Sequence, residues 1–396
     1  MALSSLSYSP PVRRSRRGKA IDYELLEAAV NLAEEGRHSE SLTKTLQHLL
    51  PEHTLPDFTK ETFSFTQGSS EVMAKIEGDD IVVRVPLVKL PSGGAAIAAL
   101  RYVLTNISAT GQLYQPRLRG DDIELEFRDA VSRFHPAKLV EVLRRMPNEA
   151  DEKDDYLIEQ FGGSSLGRTA ITPLDDDELA RSEAIWKQHW AEIEELLKEC
   201  QRKRSMFFLN ELTAYAFYRI DFALPLGGLL GCRLSENADT FNDSDEDPMK
   251  REAALGKCLK EMKAVTPEVL RKSLGHASYA ISPLDDGTPS VLSSSLGDED
   301  YIEAIQKLAK SAKAMDATLA LMSTYTFLLA RYTWDEPIEV ALKDGLAKAS
   351  GKPWREAANL LLQHASELND KFGGDEEDEE EDEGDEEDED EGDEDE

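Results

Sequence analysis

Gly162-Gly163-Ser164-Ser165-Leu166-Gly167-Arg168-Thr169 is the segment that comes nearest to recognisable chemistry. It approaches a phosphate-binding loop, with Arg168 standing where such a loop carries its phosphate-contacting lysine. A cradle of this kind needs a strand before it and a helix after it, so that backbone N–H groups converge on the anion. Here a helical run precedes the glycines and Ile171-Thr172-Pro173 follows, and proline disfavours helix at the residue before it. The stretch at the matching point of a later repeat, Ser273-Leu274-Gly275-His276, lacks the pattern. The segment reads as a Gly/Ser linker.

Pro173-Leu174-Asp175-Asp176 and Pro283-Leu284-Asp285-Asp286 offer paired carboxylates, which suit a hard divalent cation. Ahead of helical runs they have a simpler account. The proline stiffens the entry, and an aspartate accepts from free N–H groups at the positive end of the helix dipole. His48 and His53 are the closest histidines, but Pro51 stands between them and the spacing is not that of a zinc helix. Cys200, Cys232 and Cys258 are far apart, without metal-ligand spacing, and read as reduced thiols of a cytoplasmic protein. There is no Gly-x-Ser-x-Gly elbow. Phe207, Phe208, Tyr215, Phe217, Tyr218 and Phe222 fall at helical spacing and read as core. No catalytic residue, cofactor or metal ligand is assigned, and the expectation is a protein that is not an enzyme.

The charged ends are the remaining candidates. The 396 residues include 79 acids and 45 bases, for a net charge of −34. Asp375 to Glu396 is acidic throughout except Gly384 and Gly392, and contributes −20; the remainder carries −34 + 20 = −14. A tail that opens Asp375-Glu376-Glu377-Asp378 repels itself and has no apolar surface to bury, so residues 373–396 are expected to be disordered. Residues 1–20 carry Arg13, Arg14, Arg16, Arg17 and Lys19 with no acid, and are expected to form a disordered basic arm. Such an arm suits nucleic-acid phosphates, but the tail of the same chain competes for it. The tail either solubilises, or occupies a basic partner surface, or screens the arm until a partner displaces it. Either of the last two predicts salt-dependent binding.

The chain has 40% hydrophobic residues, enough for real cores. Its most apolar stretch, from Met206 to Leu230, is interrupted by Glu211, Arg219 and Asp221, which predicts a buried helix and no membrane partner. The leader after Met1 has no apolar segment, so no secretory signal is expected.

Between residues 21 and 160 the apolar period switches twice. Ile21, Leu25, Ala28 and Leu32, then Leu42, Leu46, Leu49 and Leu50, predict two helices that stop at Gly36 and Pro51. Phe63 and Phe65, then Val72, Ala74 and Ile76, then Ile81, Val83, Val85 and Leu87 alternate, with turns at Gly68-Ser69-Ser70 and Gly78-Asp79. Ile97, Leu100, Leu104 and Ile107 make a helical stripe closed by Gly111. Two strands follow, Gln112 to Leu118 and Asp122 to Phe127, around Gly120-Asp121. Pro136 opens a last helix through Leu139, Leu143 and Met146.

This order resembles the type III secretion chaperone-like fold, including the bacterial YbjN-like proteins, over about residues 21–160. The resembling features are Val103-Leu104-Thr105-Asn106, the hairpin around Gly120-Asp121-Asp122-Ile123, and Pro136-Ala137-Lys138-Leu139 leading to Ala150-Asp151. The resemblance implies a module that binds other polypeptides through its sheet and helix surface, often as a homodimer, without catalytic residues.

The second half repeats itself. Ala170-Ile171-Thr172-Pro173-Leu174-Asp175-Asp176 returns as Ala280-Ile281-Ser282-Pro283-Leu284-Asp285-Asp286, and Leu209, Tyr215 and Phe217 meet Leu319, Tyr325 and Phe327 at the same offset. Arg251-Glu252-Ala253-Ala254 returns as Arg355-Glu356-Ala357-Ala358. A tandem duplication is expected, with copies at 161–272 and 273–372 of three helices each. Those of the second copy are expected to start near Asp298, Lys313 and Trp354. Ser235 to Pro248, with acids at Glu236, Asp239, Asp243, Asp245, Glu246 and Asp247 and no base, is expected to be a solvated loop.

The fold class expected is therefore an α+β N-terminal domain, helices plus a five-stranded antiparallel sheet, followed by an all-α duplicated region and a disordered acidic tail. The function expected is a non-enzymatic, chaperone-like or adaptor protein of the bacterial cytoplasm that holds a protein client or basic protein. The alternative is a nucleic-acid-associated regulator, or a DNA mimic that uses the acidic tail.

Overall fold

Apolar residues on every second position between Phe63 and Lys89 bury one side of a sheet, and the turns between them need glycine. Gly68 and Gly78 both adopt positive φ (67° and 64°), where other residues are strained. The structure, a computed structural model, describes residues 3–16, 23–49, 62–107, 113–166, 171–242 and 247–374. Arg17, Lys19, Ile21, Pro51, His53, Gly111, residues 167–170, Asp243, Asp245, Glu246 and the whole of 375–396 lie outside them.

The head opens with helices α1 (Tyr23–Glu34) and α2 (His38–Leu49). Strands β1 (Phe63–Gly68), β2 (Ser70–Glu77) and β3 (Asp80–Lys89) form an antiparallel meander. Helix α3 (Gly94–Asn106) leads to the hairpin β4 (Gln115–Arg119) and β5 (Asp122–Ala130), which turns at Gly120. Helix α4 (Pro136–Phe161) starts on Pro136, where a missing N–H costs nothing. Val83, Val85, Leu125 and Phe127 from the sheet and Leu139, Leu143 and Met146 from α4 share one core.

Helices build the rest. The first half of the body contains α5 (Asp176–Lys203), α6 (Met206–Ala223), α7 (Gly228–Asn242), α8 (Pro248–Ala264) and the short α9 (Pro267–Lys272). The second contains α10 (Pro289–Leu296), α11 (Glu299–Lys310), α12 (Ala314–Arg331), α13 (Glu336–Ala349) and α14 (Trp354–Phe372). The central pair α6 and α12 are both 18 residues long, and each buries a tyrosine completely, Tyr215 and Tyr325.

Four expectations need correction. Three helices per half are too few, because α7 and α13 stand between the second and third of each. Ser235 to Pro248 is not simply a loop, since α7 carries the chain to Asn242 on the packing of Leu230, Cys232 and Leu234. The leader is not a free arm over its described part. Leu6 (2% exposed) and Val12 (4%) are buried in the body's core, Gly351 N–H donates to Leu6 O at 2.8 Å, and Val12 N–H donates to Ala223 O at 2.8 Å. Apolar side chains ahead of the arginines outweigh the chain entropy that the charges alone would have preserved.

The sheet also has six strands rather than five, in the order β4-β5-β3-β2-β1-β6. The sixth, β6 (Ser278–Tyr279), comes from the start of the second half and pairs antiparallel with Gln67 and Gly68. Gln67 is fully buried. Its amide oxygen accepts from Ala280 N–H (3.0 Å) and Ile281 N–H (3.1 Å), and its amide nitrogen donates to Ile281 O (2.7 Å). One side chain thus satisfies three backbone groups of a segment over 200 positions away in sequence. Ile281 enters the head's core beside it.

Gln67→Ala should lower stability by about 2–3 kcal/mol, because it strands three buried backbone groups. Urea unfolding measures it; a loss under about 0.5 kcal/mol, typical of a surface change, would show that the amide does not hold β6 in place.

Candidate functional site

Polar residues inside α6 set the first part of the site. Arg219 and Glu192 of α5 form a buried ion pair, and Arg219 Nη2 also donates to Ser7 O at 2.7 Å. Two residues on, Asp221 receives Arg13 Nη2 at 3.2 Å and Arg16 Nη2 at 2.9 Å. Arg13 Nε donates to Leu224 O (2.9 Å) and Arg16 Nη2 to Ala330 O (2.7 Å). The two arginines thereby cap the carbonyl ends of α6 and α12, where cations are favoured. Burial works against ionised Asp221, but Arg16 and Arg13 outweigh it and hold its carboxyl below the ordinary range.

Of the five basic leader residues, Arg13 and Arg16 are thus turned onto Asp221, while Arg14 stays exposed and reaches Glu178 at 3.6 Å. Arg17 and Lys19, like Asp375, Glu376, Glu377 and Asp378, lie outside the described residues. The inward-facing pair is not available as a phosphate-binding surface.

A crevice of about 290 Å³ opens between head and body against this latch, and Arg16, Asp151, Asp221, Tyr279, Pro283 and Arg331 are among its walls. A smaller hollow of about 90 Å³ adjoins it, next to Lys272 and His276. The head's contribution is the acidic stretch of α4. Asp151 accepts from Ser69 N–H at 3.2 Å and from Ser69 Oγ. The carboxylates of Asp151 and Asp155 stand over Gly68 and Gly228, so closely that an added Cβ would lie 3.0 and 3.2 Å from them. Gly228 begins α7, so Asp155 faces a helix N-terminus, as a negative group prefers. Cys232 of the same helix points its Sγ at Glu152 O across the junction.

Burial pushes the Asp151 carboxyl up to about 7, against the opposing effect of the Ser69 hydrogen bond. Burial, then the neighbouring charges of Asp155 and Asp151, push Asp154 up to about 8. Asp155 is raised as well, by burial and then by Glu159. The junction therefore combines one carboxylate held ionised by arginines with three that resist ionisation.

The repeated motif behaves differently in its two positions. Asp175 is a helix cap: Glu178 N–H donates to it at 2.8 Å, and Glu178 Oε2 accepts from Asp175 N–H at 3.2 Å. Asp176 is the first residue of α5, after Pro173 and Leu174. Asp285 and Asp286 are not caps. They form a two-residue strand, β7 (Asp285–Asp286), parallel to β8 (Tyr332–Thr333), and Asp285 receives Arg144 of α4 at 2.9 Å. The cause lies just downstream. Gly287 runs so close over Trp334 that a Cβ would come within 2.4 Å of the indole, which keeps the chain extended until Thr288 caps α10. Pro283 and Leu284 line the crevice. Among the described residues no cluster of three or more His, Cys, Asp or Glu is placed to hold a metal ion, and no helix is long and apolar enough to cross a membrane.

A second exposed feature lies on the head. β4 is an edge strand, paired only with β5, and shows Leu118 at 54% exposure. Helix α3 buries Ala99, Val103 and, just beyond its end, Ile107, so Ile97 (56%) and Leu104 (62%) of the expected stripe face outward around Arg101. Leu100 packs partly against the head core, so the expected stripe is split between a covered and an open side. Asp221 was visible as an acid interrupting an apolar run. Gln67 carried no signal at all, because its partner is chosen by tertiary structure.

Comparison with known proteins finds no matching family model and no matching curated protein.

Two outcomes follow. Raised carboxyl pKa values mean that the folded state binds protons the unfolded chain has released. That stability is complete below about pH 4 and is lost as pH rises through about 7 to 8. Thermal melts should show midpoints falling between about pH 4 and 8 and levelling off above, and Asp154→Asn should flatten that fall; an unchanged slope would contradict the assignment. Asp221→Ala should cost about 1–2 kcal/mol, since the pair is partly open to solvent, and should speed tryptic cleavage after Arg13 and Arg14.

Proposed function

We propose that the protein is a non-enzymatic polypeptide-binding module, chaperone-like or adaptor in character, whose head holds a client segment. The observation that carries this is the pair of outward apolar features on the head: Ile97 and Leu104 on α3, and Leu118 on the free edge of β4. Large apolar side chains grouped on a folded domain mark interaction surfaces more often than single ones do. An edge strand adds backbone hydrogen bonding to any extended partner. Pro116 removes one donor from β4 and so blunts indiscriminate strand pairing, leaving the Arg117–Arg119 end for the client. Arg117 and Arg119 lie on the other face of the strand and pair with Glu126 and Glu124 of β5, so the anchor offered at Leu118 is apolar. The resemblance of the head's element order to type III secretion chaperone-like proteins supports the same reading at the level of fold analogy. A homodimer through the same surface belongs to this proposal.

Ile97→Asp, Leu104→Asp and Leu118→Asp should each change stability by no more than about 0.5 kcal/mol, because the side chains are exposed. Each should reduce client capture in affinity purification from native cytosol at least about ten-fold, a loss of about 1.4 kcal/mol. If all three variants retain the same clients in the same amounts, the head surface is not the binding site. Sedimentation of the wild type and the Leu118→Asp variant tests the homodimer.

A further inference from the structure

One end of the helical body collects cations, several of them without a carboxylate partner among the described residues. Helix α5 ends Arg202-Lys203, followed by Arg204; α11 ends on Lys310; and Lys313 stands at the N-cap of α12. Contacts join these into one surface. Lys203 Nζ pairs with Asp316 in the first turn of α12, and the Arg355 guanidinium donates to Lys310 O (3.3 Å) and Ser311 O (2.9 Å). Arg202, Lys203 and Lys307 have carboxylate partners in Glu199, Asp316 and Glu303. Arg204, Lys310, Lys313 and Arg355 are exposed and pair with no carboxylate among the described residues.

The helix dipole favours cations at the ends of α5 and α11 but disfavours one at the start of α12. Lys313 makes no capping hydrogen bond there and replaces the Ser, Thr or Asp found ahead of α6, α10 and α11. Its charge is thus unexplained by local structure. Just after Arg204 in the chain, Met206 (41%) and Phe207 (38%) are exposed. The surface is a cationic patch open to an anionic partner.

We propose that this patch is the docking surface of the chain's own acidic tail, residues 375–396. Geometry and charge both point to that occupant. Helix α14 starts at the patch, with Arg355, and its 19 residues carry the chain about 28 Å away to Gly374. A 22-residue extended segment spans at most roughly 75 Å, so the tail can return along α14 with length to spare. It brings 20 carboxylates to a group of unpaired cations. Being tethered, it acts at an effective concentration of about millimolar, which a free anion must exceed to displace it. Of the leader's described bases, Arg13 and Arg16 are committed to Asp221 and Arg14 lies 3.6 Å from Glu178.

The test uses the full chain and a zero-length carbodiimide, which joins a carboxylate to a lysine amine in direct contact. At about 20 mM salt, tail carboxylates should couple to Lys310 and Lys313 at least about ten-fold more than to Lys257 and Lys272, which are 81% and 77% exposed. About 500 mM salt should remove that preference, as screening requires. Arg204→Glu/Lys313→Glu should reduce coupling at Lys310 several-fold with the melting curve unchanged. If that variant does not fold, the salt series on the wild type decides alone. Even coupling over all exposed lysines overturns the proposal. Mixing heavy- and light-isotope chains detects coupling between copies, and a predominance of it would equally overturn the intramolecular docking.

Discussion

The buried amide of Gln67 decides how this molecule is put together. A glutamine with no solvent must find partners for its oxygen and its amide nitrogen, and it finds them on Ala280 and Ile281, a strand's width from β1. The sheet of the head is therefore finished by residues that arrive only after the first half of the helical body has been laid down. Neither part is complete without the other. Contacts of such long range carry a high loop-closure cost, which the buried hydrogen bonds of this junction must offset.

The leader fastens the same assembly from another side. It runs from the Ser350-Gly351 turn, where Ser350 Oγ accepts from Tyr8 N–H at 2.9 Å, to the end of α6. Its arginines then tie α6 to α12 through Asp221 and two helix-end carbonyls. Aspartates on α4 complete the junction from the head, and their resistance to ionisation makes it sensitive to alkali where the Asp221 latch is sensitive to acid. The crevice lies where these opposing demands meet.

Local signals made the head readable. Alternation placed β1, β2, β3 and β5, glycines marked the turns, and Pro136 marked the start of α4, because each depends on neighbours in sequence. What stayed hidden depends on distant partners. β6 is two residues long and is a strand only because β1 and Gln67 lie beside it. The two Pro-Leu-Asp-Asp copies are nearly identical, yet only Asp175 caps a helix; Trp334, nearly 50 residues downstream, decides the fate of Asp285. The basic leader misled for a related reason: net charge suggested solvent, while Leu6 and Val12 ahead of the charges found a core. On α3 the expected stripe divides, with Ile107 buried and Leu100 partly so while Ile97 and Leu104 face outward.

The three thiols of the body are unequally placed. Cys200 and Cys258 sit inside the helices, where burial pushes them up to about 11 and about 12 and leaves little thiolate to react. Cys232 instead closes against Glu152 of the head. Alkylating reagents would reach it when head and body part, and the other two only when the helices themselves come apart. The chain thus carries native chemical probes that distinguish hinge-like opening from global unfolding, without an added label.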